Sequence, residues 1–245
     1  MVSTTAPATG SSTPMRDDRS FYRIALAVVA PLPMTAMGLN YILLDMPGDS
    51  SFHDIVASAA RQETVVQLSL WLSVAWFAFL IPAVIGVAAV SRQARPRLAA
   101  WGIVLTVPGF ALGFSGPNDT ALALLTHTKQ LDVRQISNLD EALWALPQFA
   151  VSSLLFIVGI VIGLLLLGIA LARSGAVPPL YGIALAIGGF THPFLGALGH
   201  TVQGIGLLVA GLGFAGASIA LWRMPNDAFL PARPTKQARP AQLPG

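Results

Sequence analysis

The run LYGIALAIGGFTHPFLGALGHTVQGIGLLVAGLGFAGASIALW, residues 180–222, extends over some 43 residues without an Asp, Glu, Lys or Arg. A transmembrane helix needs about 20 apolar residues, so the run is long enough for two. Pro193 and the glycines of Gly196-Ala197-Leu198-Gly199 interrupt helical geometry. A reversal is therefore expected between 196 and His200, giving spans at about 180–196 and 202–222. Outward from this run, four more apolar segments stand at about 22–44, 65–90, 98–116 and 148–172.

The composition agrees. Of 245 residues, 54 % are apolar and 10 % charged, and the mean hydropathy is +0.69. A soluble domain carries about a quarter charged residues, so an ordinary water-soluble enzyme is excluded. The expected fold is all-α: a polytopic membrane helical bundle of about six transmembrane helices over 21–223. Residues 1–20 are Ser/Thr/Pro-rich and lack the basic start and apolar core of a signal peptide. They read as a disordered cytoplasmic N-terminus, and the Pro-rich residues 224–245 as a disordered cytoplasmic tail.

Charge sorting tests the six-span reading. With the N-terminus inside, 11 of the 14 basic residues fall on the inner side, leaving Arg61, Lys129 and Arg134 outside. Asp45, Asp49, Asp54, Glu63, Asp119, Asp132, Asp140 and Glu141 all fall outside, as do the four histidines, His53, His127, His192 and His200. The inner face is near +8 and the outer near −5. Five or seven spans would put the basic tail on the wrong side. The pI near 9.8 thus reflects lipid headgroups and insertion topology, with no nucleic-acid partner implied. Arg outnumbers Lys twelve to two among abundant Ala and Gly, a codon bias of GC-rich bacteria; a bacterial inner (cell) membrane is the expected location. Nothing in the sequence sets an oligomeric state.

Several chemistries are excluded. There is no cysteine, hence no thiolate metal site or Cys nucleophile. Walker, dinucleotide-binding and Gly-x-Ser-x-Gly motifs are absent, and no cofactor is expected. The histidines with His53-Asp54 could supply N/O ligands on the outer face, but no pair has the i,i+4 spacing of a helical metal site. The expectation is no metal.

Two hairpins look alike: GVAAVSRQARPRLAAWGIVL (86–105) and LGIALARSGAVPPLYGIAL (167–185) each run helix, Arg, turn, Pro, helix. Duplication and convergence explain them equally. Gly159-x-x-x-Gly163 suits close helix packing. Short outer helices are expected near 54–65, continuing span two outward, and over 119–146. There Asn118 or Asp119 would cap the first turn, and Ser137 with Asp140 would start a helix running through Pro147 into span four.

An ionisable residue at membrane depth is expensive and therefore a candidate for chemistry. Asp119, in GFSGPNDTALALL between two apolar segments, leads; an interfacial N-cap is its bland alternative. Asp45 ends span one on the face of Tyr41, with Asn40 nearby; Glu63, Gln67 and Trp71 form an i, i+4, i+8 stripe. The three acids are candidate catalysts. Tyr41, Asn40, Gln67, Trp71, Trp76, Trp101 and Phe110 are candidate substrate-binding residues, and the aromatic faces of Trp71, Trp76, Phe77, Phe79, Trp101, Phe110 and Trp144 suit a developing carbocation.

In size, span content and outer-edge carboxylates, residues 21–223 resemble the small bacterial integral-membrane terpene cyclases of drimentine-type indole–sesquiterpenoid pathways. The likeness is one of plan and transfers no catalytic position. It implies acid-initiated cyclisation of a lipophilic isoprenoid, with membrane lipids as the other partner. Two alternatives stand beside it: a non-catalytic membrane protein (immunity factor, partner subunit or scaffold), and a proton-coupled carrier, for which broken helices argue.

Overall fold

Proline or glycine stands at several of the helix breaks of this chain, while Pro82 and Pro108 lie inside helices. The structure is a computed structural model that describes residues 18–44, 50–113, 116 and 118–230. It is all-helical, with no strand among the described residues. The first apolar segment is two helices, α1 (Arg19–Val29) and α2 (Leu32–Leu44), joined at Ala30-Pro31. Pro31 has no N–H for the carbonyl of Ala27. That carbonyl instead accepts the Ser218 hydroxyl at 2.5 Å. The break is thus satisfied by a neighbouring helix, as a lipid environment demands.

There follow α3 (Phe52–Arg61), α4 (Glu63–Ser91), α5 (Pro96–Gly113), α6 (Asp119–Thr128), α7 (Val133–Trp144), α8 (Pro147–Ala172), α9 (Pro179–Gly188), α10 (His200–Arg223) and the short α11 (Asn226–Phe229). Among the described residues, five stretches are long and apolar enough to cross a membrane: Arg19–Leu44, α4, α5, α8 and α10. Large apolar side chains face outward along them, including Leu154, Trp101 and Trp222, each more than 60 % exposed. Such a surface requires an apolar solvent. The chain has the architecture of a multi-pass membrane protein.

The sixth apolar segment departs from the expected continuous helix over 180–196. Its α-helix ends at Gly188, after 10 residues, about 15 Å of rise. The chain continues as a π turn (Thr191–Leu195) and a 3₁₀ turn (Gly196–Leu198). The Gly188-Gly189 pair lets this chain approach Ala210 and the Ile160 backbone closely, which a continuous helix of larger residues could not do. The expected reversal is present: Gly199 sits at φ 101° and α10 begins at His200.

α2, α10, α9, α8 and α5 pack in sequence around a ring, and α4 closes it by touching both α2 and α5; α1 lies against α10 and α4. Small residues set the close crossings. A Cβ on Gly109 of α5 would sit 2.8 Å from the Gly159 Cα of α8. The core centres on Leu80, Val84, Leu167, Leu171, Leu185 and Phe214, all fully buried.

The two ends of the bundle differ. At one, Arg23 donates to the carbonyls of Leu221 (2.7 Å) and Trp222 (2.9 Å), the unsatisfied groups that end α10. There Arg19 pairs with Asp227 at 2.8 Å, Gln93 donates to Ala228 O at 2.9 Å, and Arg92 donates to Phe229 O. The start of α1 and the end of α10 therefore share this basic end.

The other end carries a cap of α3, α6 and α7. Phe52, Val56, Ala59, Ala123, Val66 and Leu44 form a second, small apolar core there. Two expectations for the cap are corrected. Helix α3 does not continue into span two; Gln62, at φ −143° and ψ 51°, breaks it from α4, and the bend lets Phe52 and Val56 fold over the bundle end. The stretch 119–146 holds two helices as expected, but the bounds of the second differ. The second starts at Asp132, whose carboxylate accepts the amides of Arg134 (2.9 Å) and Gln135 (3.1 Å), and it ends at Trp144 before Pro147 opens α8. Ser137 is interior to it. The expectations for 1–17, 45–49 and 231–245 fall outside the described residues.

Candidate functional site

Between the bundle core and the cap lies a cavity of about 410 Å³, within the roughly 300–1,000 Å³ usual for small-molecule sites. Its floor is the end of α2 (Met37, Asn40, Tyr41) with Ser73, Trp76 and Phe77 of α4. Ile55 of α3 and Asn118, Asp119 and Thr120 at the start of α6 roof it; His200, the first residue of α10, closes one side.

The floor is polar where a membrane bundle is ordinarily dry. Asn40 is buried; its amide donates to Ser73 Oγ at 3.2 Å and its carbonyl accepts the Ser69 hydroxyl. Each of these side chains comes from a helix interior, so the network also ties α2 to α4. Tyr41 packs edge-on against the His200 imidazole, with 5.0 Å between ring centroids, and hydrogen-bonds Gln203. Trp76 and Phe77 lie 4.9 Å apart and present adjoining aromatic surface to the cavity.

The acid at the roof is a pair. Asn118 caps α6 by accepting Ala121 N at 2.9 Å, which leaves the Asp119 carboxyl at the first helical position, free of the capping duty. Trp144 Nε1 donates to Asp119 Oδ1 at 3.4 Å. Behind it the carboxyl of Asp140, on α7, hydrogen-bonds that of Asp119. Burial raises the Asp119 pKa above the usual carboxylate range. Asp140, only 8 % exposed, is pushed up to about 6 by burial first and by the facing Asp119 second. Two facing carboxyls cannot both ionise cheaply, so the pair takes up a proton more readily than isolated aspartates do. One Asp140 oxygen, Oδ1, is buried with no hydrogen-bond partner.

Of the residues expected from the sequence, Asp119, Asn40, Tyr41 and Trp76 meet at this cavity. Glu63 and Gln67 do not line it; they are exposed and joined to each other at 3.0 Å. Trp71 and Trp101, 72 % and 62 % exposed, point away from the bundle. Phe110 is buried in the core beside Phe156. Asp45 falls outside the described residues. The sequence reading offered Trp144 as an aromatic face but missed Asp140 as a site residue. Its i,i+4 spacing with Trp144 on one helix was the available signal. Asp54 differs from the pair: hydrogen bonds from the Ser51 hydroxyl (2.6 Å) and backbone N–H (2.9 Å) hold its carboxyl below the usual range.

Among the described residues no group of three or more His, Asp or Glu side chains is placed to hold a metal ion. The arrangement sets a carboxyl pair of raised proton affinity at the roof of an aromatic and amide-lined cavity. A scan against protein-family models finds no match, and searches of curated proteins and of solved structures find none either.

Proposed function

We propose that this chain is a membrane-bound, cyclase-like enzyme that protonates a lipophilic substrate of the isoprenoid class. The observation that carries the reading is the Asp119–Asp140 carboxyl pair set against a cavity floored by Trp76, Phe77 and Tyr41. A carboxyl group whose pKa is raised toward neutrality is suited to act as a general acid. Asp119 gives its proton to a carbon–carbon double bond or epoxide oxygen, and Asp140 passes it the shared proton. The cation that results lies over the aromatic faces, which attract positive charge. Ring closure follows, and the new cation returns a proton from a neighbouring carbon to the carboxylate pair. An olefin substrate is thereby isomerised with no co-reactant. Asn40, Ser73 and His200 are positioned to hold an oxygen function of the substrate.

In this reading the basic end faces the cytoplasm. The segment from Pro179 to Gly199 makes a sixth crossing, since Tyr181, Leu185, Gly188 and Thr191 lie in turn against Gly216, Gly213, Ala210 and Gly206 of α10. A bacterial inner membrane suits the composition. The acid pair then sits near the outer headgroups, and the substrate reaches it laterally from the bilayer.

Purified protein in detergent, given farnesylated and epoxidised isoprenoids without metal or nucleotide, is expected to form cyclised product. Asp119→Asn is expected to lower the rate by about 10²- to 10⁴-fold, and Glu63→Gln to leave it unchanged. No turnover of any isoprenoid, or an Asp119→Asn variant as active as wild type, would overturn the assignment.

A further inference from the structure

A second cavity, about 790 Å³, opens on the bundle side between α1, α4 and α5 at the basic end. Its walls are apolar: Leu26, Pro82, Ile85, Ala89, Ala100 and Ile103 among them. Small side chains and Pro82 leave a groove there, where large residues would have filled the helix junction. Arg92 lines its outer end, and Arg95 precedes Pro96, which also lines it. Arg95 and Arg97 are exposed, and their guanidinium groups have no hydrogen-bonded partner among the described residues.

We propose that this groove seats one acyl chain of an anionic phospholipid, with the phosphate on Arg92 and Arg95. Length and charge both select that occupant. From Pro82 to Arg92 the groove follows α4 for ten residues, about 15 Å at 1.5 Å per residue. That is half of a hydrocarbon core about 30 Å thick, the reach of a chain from a single leaflet. The mouth therefore lies at headgroup level when the chain is in place. The cations around it face few anions: of the two described acids at this end, Asp18 and Asp227, the latter is held by Arg19. The protein's own sequence beyond Leu230, PARPTKQARPAQLPG, is polar and basic. It matches the headgroup region and not an apolar groove. The proposal is independent of the acid pair at the opposite end.

Native mass spectrometry of the full-length protein in mild detergent tests it, with phosphatidylglycerol and phosphatidylcholine of identical acyl chains as titrants. One phosphatidylglycerol is expected to bind in preference to phosphatidylcholine. Arg95→Ala, which removes no side-chain hydrogen bond or ion pair among the described residues, is expected to lower phosphatidylglycerol affinity roughly fivefold and leave phosphatidylcholine unaffected; Arg92→Ala adds a similar loss. Ala100→Trp, which fills the groove from an exposed lining position, is expected to lower retention of both lipids. Equal binding of the two lipids, or full retention by Ala100→Trp, overturns the proposal. So does a wild-type dimer that Ala100→Trp converts to monomer, which would make a second copy the occupant.

Discussion

Asp140 lies in the cap with one carboxyl oxygen against Asp119 and the other buried without a partner. Such a group makes the folded chain hold a proton that the unfolded chain, with its Asp near 3.8, gives up sooner. With the folded pKa raised to about 6, the native state binds more protons than the unfolded state between about pH 4 and 6, so stability falls as pH rises through that window. Asp140→Asn keeps the shape and removes the charge. It is expected to raise the thermal midpoint by a few degrees at pH 7 and to flatten its dependence between pH 4 and 6. Thermal melts of both proteins in one detergent, from pH 4 to 7.5, check this; parallel curves would contradict it. Turnover, where the pair supplies the proton, is expected to decline above about pH 6 in wild type. The sequence exposed Asp119 because an acid between apolar runs is conspicuous. It concealed Asp140, which reads as one of several acids in a polar stretch until α7 folds back on α6.

At the level of elements, contacts between helices rest on packing, since lipid supplies no hydrophobic drive for helix association. The α5–α8 crossing is the clearest case, with Gly109 and Gly159 backbone against backbone. Gly159→Leu is expected to destabilise the bundle by about 1–3 kcal/mol through overpacking. Val158→Leu adds a methylene on the neighbouring exposed position and is expected to change little. Detergent-titrated unfolding of the two variants separates a packing effect from a general one. The Gly159-x-x-x-Gly163 spacing made this face visible in the sequence. Local rules failed where tertiary burial overrode them. The residues around Gln62, Ala59-Ala60-Arg61 and Glu63-Thr64, include no proline or glycine to stop a continuous helix, yet the chain bends there so that Phe52 and Val56 reach Ala123. Ser137 and Asp132 both satisfy a capping rule. Only the structure shows Asp132 holding the two amides while Ser137 points along its own helix toward Glu141.

For the whole molecule, charge and topology constrain each other. Arg19, Arg23, Arg92, Arg95, Arg97, Arg173 and Arg223 belong to the end where α1 begins and α10 closes. Among the described residues, Arg61, Lys129 and Arg134 share the cap with six acids, Asp54, Glu63, Asp119, Asp132, Asp140 and Glu141. Such an imbalance orients a protein with its basic end in the cytoplasm, which would set the acid pair at the outer surface and the groove of Arg92 at the inner one. The absence of cysteine makes the orientation directly measurable. Thr128→Cys on the exposed end of α6 and Ala94→Cys in the exposed α4–α5 turn each give a chain with a single thiol. In intact cells a membrane-impermeant maleimide is expected to label the Thr128→Cys chain and to leave the Ala94→Cys chain unlabelled until the membrane is opened. The opposite pattern would turn the molecule over. The acid pair would then face the compartment in which isoprenoids are made, and the groove of Arg92 would draw its lipid from the outer leaflet.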